Sequence, residues 1–128
     1  MNLFSLCAIG LLGFSLTAFA ADAPAKPEKL RHVVTFKFKE TATPDEIKKV
    51  ENAFRELKSK IPEIVSIEWG TNISTEKRDK GFTHAFIVTF KSEKDRDSYL
   101  VHAEHKKFVE LALPSIDDVF VIDFWAKE

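Results

Sequence analysis

Tyr99, His102 and His105 stand within one short segment, and they carry the sharpest chemistry in this sequence. An imidazole titrates near neutrality, so His105 can take a proton from a carbon acid beside a carbonyl. A phenol such as Tyr99 can donate a hydrogen bond to the enolate oxygen that then develops. Asp123, in the last apolar segment, can hold the imidazole in one tautomer, as a carboxylate commonly does. The alternative is structural: a histidine that caps a break in the second helical region and ties it to the sheet, because a fold does not fix a function. His102-x-x-His105 also has a spacing that can place two imidazoles on one helix face, but a stable metal site needs a third suitable ligand. Glu104 points elsewhere and no His-Glu-x-x-His arrangement exists, so no metal is expected. Gly-rich phosphate loops are absent, which removes the usual nucleotide motifs, and no cofactor is expected.

The other two histidines lie in segments that alternate. In Leu30–Lys39, His32, Val34, Phe36 and Phe38 point one way and Arg31, Val33, Thr35 and Lys37 the other. In Phe82–Lys91, His84, Phe86, Val88 and Phe90 oppose Thr83, Ala85, Ile87 and Thr89. This period of two predicts two strands. The more apolar face of each meets a helix layer, and both histidines lie on it. They are either satisfied core groups or polar groups lining a pocket. The two strands run antiparallel in the expected topology and each begins with its histidine, so the two sit toward opposite ends of the cavity. His105 then approaches one of them only.

These strands need partners to position them. Thr43-Pro44-Asp45-Glu46 is a helix start with a capping box, and Ile47, Val50, Phe54, Leu57 and Ile61 form an apolar stripe that Pro62 ends. Ile64–Ile73 reads as a second strand in which Gly70 suggests a bulge or twist. Ser92 with Asp95 opens a second helical region, broken near His102 and closed by Pro114, and Val119–Trp125 is the last strand. The order β-α-β-β-α-β predicts an α+β, ferredoxin-like sandwich with both helices on one face. Val33, Thr35, Ala85 and Ile87 make the other face too apolar for water. A second copy of the chain is the economical cover, so a homodimer is expected.

The chain has 128 residues, a formal net charge of -1 and 30% charged residues, which suits one globular domain and offers no basic footprint for nucleic acid. Met1–Ala20 contains no charged side chain, and Ala18-Phe19-Ala20 supplies the small-x-small pattern of signal-peptide cleavage. The expected organisation is a signal peptide over 1–20, a linker over 21–29 and a domain over 30–128. The mature protein is then periplasmic or secreted, with no membrane attachment once the leader is removed; an uncleaved anchor is the alternative. Cys7, the only cysteine, falls in the leader, so the mature chain has no disulfide and no thiol nucleophile.

Arg31-His32-Val33-Val34-Thr35-Phe36-Lys37-Phe38, Gly81-Phe82-Thr83-His84 and above all Tyr99-Leu100-Val101-His102-Ala103-Glu104-His105 resemble the stress-responsive dimeric α/β-barrel domain family over about Leu30–Trp125. The resemblance implies a dimeric α/β barrel built from two ferredoxin-like protomers, each with a cavity between helices and sheet. By comparison with a cofactor-free polyketide cyclase of that family, His105 matches the acid/base histidine and Tyr99 its tyrosine. His32, His84 and Asp123 match other polar cavity residues. The sequence departs at Ala103, where the family has Pro, at Phe54, where the cyclase has Tyr, and at Glu51 and Ile116, where it has aromatic residues.

Three functions follow as expectations. The first is binding of a small apolar or aromatic molecule in a cavity lined by His32, Val34, Phe36, Phe54, His84, Phe86, Val88, Phe108 and Asp123. The second is cofactor-free aldol-type cyclisation or isomerisation by His105 with Tyr99, with a haem-handling or cofactor-free monooxygenase ranked below it. The third is a structural dimer without ligand, whose cavity would be filled by Phe54, Phe86 and Phe108.

Overall fold

A computed structural model describes Ala18 and residues 28–128. The expected leader, apart from Ala18, and most of the linker lie outside the described residues. The elements run β1 (Leu30–Phe38), α1 (Pro44–Lys60), β2 (Ser66–Thr71), β3 (His84–Phe90), α2 (Glu93–Val101), α3 (Ala103–Ala112), a 3-10 turn (Leu113–Ser115) and β4 (Ile116–Trp125). The four strands form one antiparallel sheet in the order β2-β3-β1-β4. This is the expected α+β, ferredoxin-like arrangement.

Local chemistry accounts for the elements. Thr43 Oγ1 accepts from the Glu46 amide at 3.2 Å while Glu46 Oε2 accepts from the Thr43 amide at 2.8 Å, which closes the capping box of α1. The apolar stripe of α1 buries Val50, Phe54 and Leu57, and Ile61 is buried just beyond the helix. The break in the second helical region falls on His102, whose extended backbone ends α2 and begins α3. Its Nδ1 accepts from the Glu104 amide at 3.1 Å and so caps α3. The capping role open to a histidine in this segment therefore belongs to His102, not His105.

Several boundaries differ from expectation, β3 among them, which begins only at His84. β2 is shorter, because Ile64 turns into the core and Ile73 is 91% exposed. β4 starts three residues earlier, at Ile116. Gly70 sits in regular register opposite Ala85; the irregularity lies between Lys37 and Phe38, where β1 skips Asp117 of β4. A Cβ at Gly70 would meet nothing, so that position needs no bulge.

The helix-facing side of β1 and β3 is buried, and its core includes Leu30, Phe36, Phe54, Phe86, Val88 and Phe90. The opposite side is largely not, Thr89 excepted. Val33 and Ile87 are half-buried and Ala85 is exposed, while Phe120, Ile122 and Phe124 of β4 are 54%, 48% and 46% exposed on that face.

Candidate functional site

A cavity of about 540 Å³ lies between the β1–β4 half of the sheet and the α2–α3 pair. Its floor is a ladder of facing pairs. His32 stands opposite Asp123, Val34 opposite Val121 and Phe36 opposite Val119, with Ile116 beyond. Its roof is Tyr99 and Leu100 of α2 with His105, Phe108, Val109 and Ala112 of α3, and Leu113 just beyond. The cavity is therefore polar at one end and apolar along the rest. From His32 to Phe36 the floor extends roughly 13 Å at the usual strand rise.

Five titratable groups meet at the polar end. His32 Nδ1 lies 2.7 Å from Asp123 Oδ1, and its ring meets the edge of Tyr99 at a centroid distance of 5.7 Å. Arg96 of α2 donates from Nη1 to Asp123 Oδ2 at 2.9 Å. Its bonds to Asp123 and Asp97 raise its pKa further. The Tyr99 ring lies 4.4 Å from the His105 ring, and the Tyr99 hydroxyl is fully buried with no hydrogen-bond partner among the described residues. Burial pushes the phenol above its ordinary pKa, with the charge of Asp123 adding to it. His105 donates from Nδ1 to the Leu100 carbonyl at 3.2 Å. Burial lowers its pKa, partly opposed by that bond, so the ring is neutral at pH 7 with Nε2 carrying the lone pair.

His32, Val34, Phe36, Phe54, Tyr99, His105, Phe108 and Asp123 all line this cavity. Of the two strand histidines, His105 shares it with His32 alone. Asp123, expected to orient His105, orients His32 instead, because the β1–β4 register sets them side by side. His84, Phe86 and Val88 do not line it. They lie on β3, one strand further from β4, where α1 covers the sheet. Phe86 is stacked on Phe54 at 4.0 Å and Val88 is fully buried. His84 sits at the other end of its strand, with Nε2 on Glu51 Oε1 and Nδ1 on Thr83 Oγ1, both at 2.8 Å, between Phe38 and Trp69. It is a satisfied core histidine. Sequence reasoning missed Val119 and Val121, although their parity with Asp123 along β4 was a usable signal. It also missed Arg96, one helical turn before Tyr99. Among the described residues, no group of three or more His, Cys, Asp or Glu side chains could hold a metal ion.

This fold is that of a known class. Residues 30–126 match the stress responsive A/B barrel domain, and the chain belongs to that family. It is 32% identical over 95 residues to a stress-response A/B barrel domain-containing protein of Arabidopsis thaliana, covering 74% of this chain and 87% of that one. It is 23% identical over 95 residues to the olivetolic acid cyclase of Cannabis sativa, covering 74% and 94%. Among solved structures it is similar to the hydroxynitrile lyase of Passiflora edulis, with a TM-score of 0.75, 27% identity and coverage of 80% and 97%. A dimeric ferredoxin-like protein from Thermobifida fusca shares the fold at a TM-score of 0.68 and 22% identity, covering 79% and 93%.

Proposed function

We propose that this domain binds a small molecule that is apolar or aromatic over most of its length and carries oxygen at one end. The observation behind this reading is Tyr99, which lines the polar end of an otherwise apolar cavity and whose hydroxyl is buried with no hydrogen-bond partner among the described residues. An orphaned buried hydroxyl costs about 1–3 kcal/mol, which a ligand oxygen would recover. Phe54, Phe86 and Phe108 leave the cavity open, which speaks against a dimer without a ligand. Calorimetric titration with 4-propylphenol tests the reading: micromolar to millimolar binding is expected, weakened in Tyr99→Phe. Equal affinity for the parent and Tyr99→Phe would remove the hydroxyl from the site.

A second reading, cofactor-free acid/base catalysis, is favoured by the neutral His105 imidazole beside the Tyr99 phenol. His105 Nε2 would take a proton from carbon next to a carbonyl, and Tyr99 would donate to the enolate oxygen. Two similar proteins, a cyclase and a hydroxynitrile lyase, are enzymes, which supports catalysis in this fold. Deuterium exchange at the α-carbon of an aryl ketone, lost in His105→Gln, is its test.

We further propose that two copies pair through the exposed face of the sheet, which Phe120, Ile122 and Phe124 make strongly apolar, and that the mature chain works outside the cytoplasm. The dimeric state described for a structural neighbour supports the pairing, and the uncharged leader supports export.

A further inference from the structure

Arg96 lies outside the cavity lining, yet among the described residues it is the one Lys or Arg that reaches the cavity's polar end. Its Nη1 holds Asp123 Oδ2 at 2.9 Å and its Nε holds Asp97 Oδ1 at 3.0 Å, so the guanidinium bridges α2 to the edge strand. Asp123 is 23% exposed on an edge strand, and Arg96 is the partner that holds it besides His32. With Oδ2 held, Oδ1 faces His32 Nδ1 at 2.7 Å. A carboxylate only accepts, so the hydrogen must sit on His32 Nδ1. In the neutral ring Nε2 then carries the lone pair, and it has no protein partner among the described residues. His105 is set the same way, by the Leu100 carbonyl on its Nδ1. Among the described residues no Lys or Arg lines the cavity, and Arg96 is committed to two carboxylates. With His32 in its neutral form, an anionic ligand would meet two lone pairs and a nearby carboxylate, with no free Lys or Arg among the described residues to offset them.

We propose that Arg96 is a positioning residue that fixes the His32 tautomer through Asp123, so that the cavity offers two imidazole acceptors and one phenol donor. The complement of that set is a neutral apolar ligand bearing hydroxyl donors, not a carboxylate. This rests on the reading of the cavity as a small-molecule site.

Three probes of one shape test the ligand class: 4-propylphenol, 4-propylanisole, which lacks the donor, and 4-propylbenzoate, which is anionic. The parent protein binds the phenol roughly tenfold more tightly than the ether at pH 7.5, as one extra hydrogen bond allows, and the benzoate no better than the ether. In Arg96→Met the preference for the phenol falls to about twofold or less. The ¹⁵N shifts of the His32 ring test the clamp without any ligand. They report one tautomer, Nδ1–H, in the parent and a mixture in Arg96→Met, with partial return in Arg96→Lys. Should Arg96→Met fail to fold, Arg96→Gln carries the same comparison. A single Nδ1–H tautomer in a folded Arg96→Met or Arg96→Gln overturns the clamp. Tighter binding of the benzoate overturns the ligand class. Absence of binding by all three probes overturns the small-molecule reading itself, while the tautomer still decides the role of Arg96.

Discussion

Tyr99 is the only tyrosine in the chain, so its ionisation can be read without interference. Because burial raises its pKa, an absorbance titration of the folded protein is expected to show no tyrosinate at pH 10.5, whereas the urea-unfolded chain ionises near 10. The folded state keeps the proton that the unfolded state loses, so this group's contribution to stability declines as pH rises above about 10. Ionisation of the folded protein near pH 10 would mean that the hydroxyl reaches water. His105 works in the opposite pH range. Its folded pKa is lowered, so the unfolded chain binds the proton more readily and stability falls as pH drops below about 6.5. His105→Gln is expected to flatten part of that slope in urea denaturation at pH 5, 6 and 7, while leaving stability at pH 8 little changed. A large loss at pH 8 would instead assign His105 a structural role.

The elements that carry these residues differ in how far local chemistry specifies them. α1 has its capping box, and Thr43→Ala is expected to cost about 1 kcal/mol, measurable as a shift in denaturation midpoint with an unchanged slope. Its central Phe54 stacks on Phe86 and meets Phe108 edge-on at 4.9 Å, so Phe54→Ala should cost about 3–5 kcal/mol. α2 and α3 depend on a single residue between them. His102 ends one and caps the other, which turns the chain so that Tyr99 and His105 face the same cavity. Between β1 and β4, the register sets His32 beside Asp123, and a slip of β4 by one residue would send Asp123 to the opposite face, away from His32.

For the whole molecule, the exposed face of the sheet and the leader carry the remaining predictions. Ile122 is about half exposed in the isolated protomer, so Ile122→Lys should leave the protomer fold intact yet dissociate a dimer. Sedimentation at micromolar concentration checks this: a dimer is expected for the parent and a monomer for the variant, and a monomeric parent would refute pairing through this face. Expression of the full chain in a bacterial host is expected to yield a secreted or periplasmic form beginning at Ala21 by mass spectrometry. Full-length chain held in the membrane would support the anchor instead.

The alternation of β1 and β3, the capping box and stripe of α1, and the β-α-β-β-α-β order were legible in the sequence because each depends on neighbours two to four residues apart. The identities of His32, Tyr99, His105 and Asp123 as members of one constellation were legible too, since their residue types and strand parity could be read directly. Which imidazole Asp123 would hold was not, because that depends on the pairing of β1 with β4 across some ninety residues of chain. Nor was the exclusion of His84, Phe86 and Val88, which share the parity of His32. Parity assigns a face of the sheet, whereas the order β2-β3-β1-β4 and the placement of α1 over β3 decide which part of that face is packed solid and which part is left open.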